Sequence, residues 1–504
     1  MKTHCLTATS ATLCVLLLSA SCHAMDYGEG HANLAPIALL DNNQGQHGHW
    51  KAIGRLQPYK QHKTSYCSAA LIDTRGASSD TSGPAYVLTS GHCIAYSALN
   101  VKTNLPSDGH IDFNAFHDTT AHTQRYNLKK VNWSSMRGMD VAVVELDANL
   151  QTLIDNGITP LQLASAQPQT NDPLLVVGIP SGYEQEALRL SVCSHVSTEQ
   201  LLEQPGLLRH AEKNHCKGLK PGSSGSPVLE RHSNKLVAVL ATSTVDSLEE
   251  NRCFENTPCE IKNGQPLWAP DSNYSSPVVF LNQCFANGRF EPTTEGCDLL
   301  PTVTLSMKNP QAYRYYHRVH HDDLGQPVLA GWNLAFALDT PVYRYKTVRD
   351  AQLCENPDNY SPAIEIDGAY INDLIGPEPG IYLLCVIGID SAAQQPTWPM
   401  MKHPLVFATE IAQPGPTRAP QLDIRRKDDG GYRVVLHYSN PVLSAYRYKT
   451  GTPETTDCNN AHGYEQAMDD LEFPATALPL KLCTQARDMS GQWSAPRTDL
   501  LTTG

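Results

Sequence analysis

The stretch Gly218-Leu219-Lys220-Pro221-Gly222-Ser223-Ser224-Gly225-Ser226-Pro227 constrains the backbone more tightly than any other part of the chain. Gly222 and Gly225 can take positive φ without steric cost, so the chain can turn sharply around Ser224. That turn points Ser224 Oγ outward and aims nearby backbone N–H groups at one spot, where an oxyanion can sit. By itself the string specifies a turn as readily as a nucleophile. Two upstream segments narrow the choice. Tyr86-Val87-Leu88-Thr89-Ser90-Gly91-His92-Cys93 is an apolar strand ending in small residues and a histidine. Met139-Asp140-Val141-Ala142-Val143-Val144-Glu145-Leu146 places an aspartate at the start of a second apolar strand. A serine hydroxyl is a weak nucleophile at neutral pH and needs an adjacent base. A histidine can take its proton and return it to a leaving group. An aspartate can hold the other imidazole nitrogen and fix the tautomer. Each residue also has a plainer reading, His92 as a packed strand-end residue and Asp140 as a strand-start or turn residue.

With these segments in the order His92, Asp140, Ser224, the sequence resembles the trypsin-like (chymotrypsin-fold) serine peptidases, whose triad comes in that order. The family's Thr-Ala-Ala-His-Cys reads here as Thr89-Ser90-Gly91-His92-Cys93, and its Asp-Ile-Ala-Leu-Leu as Asp140-Val141-Ala142-Val143-Val144. Its Gly-Asp-Ser-Gly-Gly-Pro becomes Gly222-Ser223-Ser224-Gly225-Ser226-Pro227, a spelling closer to the bacterial branch that includes glutamyl endopeptidases. The resemblance spans roughly residues 50 to 290. It implies His92, Asp140 and Ser224 as catalytic residues and the N–H groups of Gly222 and Ser224 as oxyanion donors. It also implies a bridge from Cys67 to Cys93 that clamps the histidine loop.

The same resemblance puts Gly218 at the base of the primary specificity pocket, with Thr242 and Thr244 on the strand that walls it. An aspartate at the base would select Arg or Lys, and here the residue is glycine. The wall strand Leu236–Thr244 also lacks the histidine used by glutamyl endopeptidases, so the preferred residue stays open. Ser223 stands where animal members carry an aspartate for a newly cleaved N-terminus, and no Arg-Ile-Val-Gly-Gly junction precedes Ala52-Ile53-Gly54. Activation by insertion of a cleaved N-terminus is therefore not expected.

At 504 residues the chain exceeds the size of one domain. Met1-Lys2, an apolar run around Leu13 to Leu18 and Ser21-Cys22-His23-Ala24 read as a signal peptide over residues 1–24, so the protein is expected to be secreted, extracellular or periplasmic. A lipoprotein site at Cys22 is the alternative. Of 15 cysteines, Cys5, Cys14 and Cys22 fall in the leader, which leaves 12. An even number in an exported chain suits a disulfide framework. Their order suggests pairing between neighbours: Cys193 with Cys216, Cys253 with Cys259, Cys284 with Cys297, Cys354 with Cys385, and Cys458 with Cys483. No CxxC pair has zinc-ligand spacing, so neither a metal nor a cofactor is expected. The formal charge of −13 argues against a nucleic-acid partner, and no later segment is apolar for long enough to span a membrane.

Past Pro301 the chain repeats itself. Tyr343-Arg344-Tyr345-Lys346-Thr347 recurs as Tyr446-Arg447-Tyr448-Lys449-Thr450, Cys354 and Cys385 recur as Cys458 and Cys483, and Asp390 and Trp398 recur as Asp488 and Trp493. Short apolar strands between turn residues suit β-sandwich modules of Ig-like or fibronectin-III-like type. The expected organisation is all-β. An N-terminal segment or short pro-piece over 25–50 precedes a two-barrel protease domain over 51–300 and sandwich modules over 301–413 and 414–504. The function expected is a secreted serine endopeptidase acting on protein or peptide substrates, with a surface or glycan target for the modules. The rival reading is an inactive protease-like adhesin or binding protein, favoured by Gly91, Ser223 and the large non-catalytic half.

Overall fold

The protein is described from a computed structural model covering residues 25–59, 66–76, 80–254, 256–297, 299, 302–402, 404–415 and 417–503. The expected signal peptide lies outside these residues. Twelve strands form two barrels. In the first they are β1 (Ile53–Pro58), β2 (Cys67–Leu71), β3 (Pro84–Thr89), β4 (Gly109–Phe113), β5 (Gln124–Ser135) and β6 (Val141–Asn149). The second contains β7 (Pro173–Gly178), β8 (Arg189–Glu203), β9 (Gly206–Asn214), β10 (Pro227–Glu230), β11 (Leu236–Ser243) and β12 (Asn273–Pro277). Counted from its own first strand, each barrel runs 1-2-3-6-5-4 and closes on itself, through β4 with β1 in one and β10 with β7 in the other. All twelve ring pairings are antiparallel. Closure removes the sheet edges that would otherwise offer unpaired backbone groups. Val, Leu and Ala dominate β3, β6, β10 and β11, and their side chains fill the interiors.

Residues 25–50 strap the barrels together. Asp26 makes a two-pronged ion pair with Arg231 at 2.7 and 2.9 Å, and that guanidinium holds its carboxyl well below the usual carboxylate range. Ala38–Leu39 pairs with Arg189–Leu190 of β8. Trp50 is fully buried in the first barrel, and its indole N–H donates to Asn234 of the second at 2.8 Å.

Two further units follow, each with two main sheets over its own apolar core. In residues 305–412 a five-stranded sheet faces a three-stranded one around Trp332, Phe336, Tyr343, Leu384 and Phe407. In residues 422–501 a four-stranded sheet faces a three-stranded one around Val434, Tyr446 and Leu482. The repeat is structural as well as sequential. Lys346 lies across from Cys385, and Lys449 from Cys483, in matching strand registers. Tyr360 and Tyr464 each donate to the carbonyl of the first bridge cysteine at 2.8 Å and each carry the lysine ammonium over the ring.

The repeat breaks at its end. Asp488 is buried and accepts from Arg318 of the preceding unit, while Asp390 is exposed. Trp493 stacks under Arg447, whereas Trp398 is 65% exposed.

The first of these units is docked on the second barrel. Leu202, Leu207 and Ile261 share an apolar cluster with Ile381, Leu383 and Ala408. Gln204 donates to the Ala408 carbonyl, and Arg252 pairs with Glu410 at 2.8 Å. Leu383→Ala should therefore cost about 2–4 kcal/mol, read as a lower urea midpoint of the full chain. An unchanged midpoint would mean that the docking contributes little to stability.

Candidate active site

The barrels meet where three sequence motifs end. Strand β3 stops at Thr89, and a single helical turn, Gly91–Ile94, carries His92. Asp140 directly precedes β6, and Ser224 sits in the turn ahead of β10. Asp140 is buried and holds His92 twice, its Oδ1 accepting from the backbone N–H at 2.9 Å and its Oδ2 bonded to Nδ1 at 2.6 Å. The second contact leaves Nε2 as the nitrogen that can work as a base. Gly91 has its own cause: a Cβ there would collide with the Ser135 carbonyl and fall 3.1 Å from Asp140 Oδ1. The glycine lets the histidine turn lie flat on the aspartate.

Around Ser224, Gly222 and Gly225 adopt φ of 90° and 80°, the left-handed region that only glycine enters freely. A Cβ on Gly222 would fall 2.7 Å from the Tyr66 ring, and one on Gly225 would strike Thr89 Oγ1 and the Ser68 carbonyl. Ser223 and Gly225 spend their N–H groups on the carbonyls of Lys220 and Leu240. Among the described residues the N–H groups of Gly222 and Ser224 make no hydrogen bond to the chain. Ser223 is buried, and its Oγ accepts from the Lys220 N–H at 3.2 Å, closing the turn from within.

Sequence reasoning missed the residue that joins the two halves. Ser68, fully buried beside Cys67, donates its N–H to the Ser224 carbonyl at 2.8 Å. Its hydroxyl donates to the Gly222 carbonyl at 3.0 Å and accepts from the Ile179 N–H at 2.9 Å. Its carbonyl accepts from Thr89 Oγ1 at 2.9 Å. Cys67 is bridged to Cys93, next to His92, so one dipeptide ties the histidine turn to the serine turn. Ser90 and Ser276 add two more seams: Ser90 Oγ donates to the Leu240 carbonyl, and Ser276 Oγ accepts from the Asp140 N–H at 2.8 Å. A serine after a cysteine carries no sequence signal of this role.

The remaining expected residues are placed as follows. The other bridges join Cys193–Cys216, Cys253–Cys259, Cys284–Cys297, Cys354–Cys385 and Cys458–Cys483. Cys67, His92 and Cys93 lie close enough to suggest metal ligands, but the two sulfurs are already bonded to each other and supply no thiolate. Gly218 (φ 74°) leaves no room for a side chain, since a Cβ would meet Ile37 of the strap and the Tyr183 hydroxyl. Thr244 is buried, and its hydroxyl closes a loop through the Ala269 carbonyl and the Ser272 N–H. Thr242 is part-exposed and lies beside the carboxyl of Glu203. Glu203 ends β8, accepts from the Asn256 N–H at 2.7 Å, and lies within electrostatic reach of His92 and Asp140. Desolvation raises its pKa, against the pull of Thr242, Asn256 and His92.

Residues 67–239 match the family described as trypsin-like peptidase domain, and the chain carries such a domain over that span. No curated protein matches the chain. Among solved structures it is similar to the thermostable serine protease AL20 from an extremophilic microorganism, at 13% identity, 46% coverage of this chain, 92% of that one and a TM-score of 0.31. It is similar to a Glu endopeptidase in complex with MPD at 15% identity, with coverages of 48% and 91% and a TM-score of 0.31. Protease Anisep from Arthrobacter nicotinovorans gives 13% identity, coverages of 45% and 90% and a TM-score of 0.31.

The Glu203 environment sets a pH dependence. Its folded pKa lies above the unfolded value, so ionisation costs the folded state more than the unfolded one. That cost is absent below the ordinary carboxyl range and full above the raised value. Glu203→Gln cannot ionise, so its melting temperature should gain on wild type at about pH 8 relative to about pH 4. Parallel profiles for the two chains would contradict a raised pKa.

Proposed function

We propose that the chain is a secreted serine endopeptidase that cleaves through an acyl-enzyme on Ser224. His92 Nε2 takes the proton of Ser224 Oγ as the oxygen bonds to the substrate carbonyl carbon. The carbonyl oxygen becomes an oxyanion and is met by the N–H groups of Gly222 and Ser224. Asp140 stabilises the imidazolium and keeps the ring oriented. The proton then passes to the departing amine as the C–N bond breaks. Water, activated by the same imidazole, releases the acyl group and restores the serine.

The observation that carries this reading is the pairing of a bonded His92–Asp140 unit on one barrel with a glycine-flanked serine on the other, joined through Ser68. The two substitutions that favour an inactive binding protein have local packing reasons, Gly91 against Ser135 and Ser223 within its own turn. The spelling of the serine motif supports a bacterial branch, and the leader supports export. The two-sheet units are read as Ig-like or fibronectin-III-like modules that add a surface or glycan target.

Ser224→Ala should lower kcat on peptide substrates by about three orders of magnitude or more, with the thermal transition unchanged. Retention of a tenth of wild-type activity in a folded variant would overturn the assignment.

A further inference from the structure

A cavity of about 760 Å³ lies between the second barrel and the docked two-sheet unit, with Gly138 and Met139 in its wall. That volume is the size of a small-molecule site. Its position matters as much as its size. Asp140 is held by the hydrogen bond from its N–H to Ser276 Oγ. Met139 and Pro277, the covalent neighbours of those two residues, both line the cavity. Arg209 lies under Gly138, where a Cβ would fall 2.6 Å from the guanidinium carbon, so the wall has no slack. The cavity wall is thus one peptide bond from Asp140 on one side and one from its partner Ser276 on the other.

The lining limits what can enter. Met139, Pro277, Phe280 and Met401 are apolar, and the exposed Trp398 offers its ring at the rim. Every charge in the wall is matched. His195 meets Glu212 at 2.6 Å, and Glu355 meets Arg209 at 2.9 Å and His210 at 2.8 Å. A charged ligand would lose its hydration without gaining a free counter-charge. The buried end holds one polar opening. His195 is 3% exposed, and its Nδ1, turned toward the Gln169 carbonyl, falls outside hydrogen-bond geometry with it. Thr198, exposed at the mouth, donates to Glu212 at 3.1 Å.

We propose that this cavity is an effector site for an uncharged molecule with an aromatic or branched apolar body and one hydrogen-bonding group, and that its occupancy alters turnover by shifting Asp140. Binding is independent of the peptidase reading, and the effect on turnover rests on it.

The probe is N-phenyl-1-naphthylamine, an uncharged aromatic amine that fluoresces on leaving water, titrated into the full chain. Saturable binding at one site per chain is expected, weakened about fivefold or more in Trp398→Ala and blocked in Thr198→Trp, whose new ring fills the mouth. Both positions are solvent-facing, so both variants should fold. Repeating the titration on Ser224→Ala keeps the binding result separate from failure of the peptidase assignment. At saturation kcat/KM on a peptide substrate should change by about fivefold or more, and the change should vanish in Thr198→Trp. Absence of saturable binding, or binding untouched by both variants, overturns the site. Binding with turnover unchanged overturns the effector role.

Discussion

Three hydrogen bonds made by Ser68 hold the two barrels in one relation, and the geometry of the site depends on them. Its N–H and hydroxyl reach the carbonyls of Ser224 and Gly222, and the hydroxyl also takes the Ile179 N–H. A buried hydrogen bond adds only about 0.5–1.5 kcal/mol, but an orphaned buried partner costs about 1–3 kcal/mol. Any displacement of the serine turn would orphan several groups at once. The turn therefore has one position rather than a range, and the Cys67–Cys93 bridge extends that fixity to the histidine. Positioning of this kind is where much of an enzyme's advantage over solution chemistry arises.

The non-catalytic half is less detached than a string of modules. The first two-sheet unit buries Ile381 and Leu383 against the β8–β9 hairpin, whose tip carries Glu203. Arg318 of that unit reaches the buried Asp488 of the next at 2.9 Å. Contacts thus run from the second unit through the first to Glu203, within electrostatic reach of His92 and Asp140. A truncation at the end of the barrels would expose the apolar face of Leu202, Leu207 and Ile261, which makes the barrel pair alone a poor test of what the chain does.

What the sequence made legible was local. The glycine-flanked serine, the strand that ends in His92 and the strand that Asp140 opens are each read within about ten residues, because turn chemistry and strand periodicity are short-range. The cysteine pairs, 6 to 31 residues apart, were legible from their order along the chain and, for Cys67 and Cys93, from the family resemblance. Ser68, Ser276 and Glu203 were not, since their roles come from partners more than fifty residues away, and a serine or glutamate has no pattern that marks such a contact. The repeat that holds for Tyr343–Thr347 and Cys385 lapses before Trp398, which is exposed and lines the cavity. Within residues 25–50, which read as an N-terminal segment or short pro-piece, Leu40 and Trp50 are buried in the barrel core.

The central claim is that Ser224 is a nucleophile activated by His92 across the barrel seam. An uncharged fluorophosphonate reacts with a serine only when a base and an oxyanion site are already in place. Mass mapping after exposure of the native chain should find one adduct, on Ser224, formed far more slowly in His92→Ala and not at all in the denatured chain. A folded chain that leaves Ser224 unmodified, or that labels equally well without His92, would contradict the account.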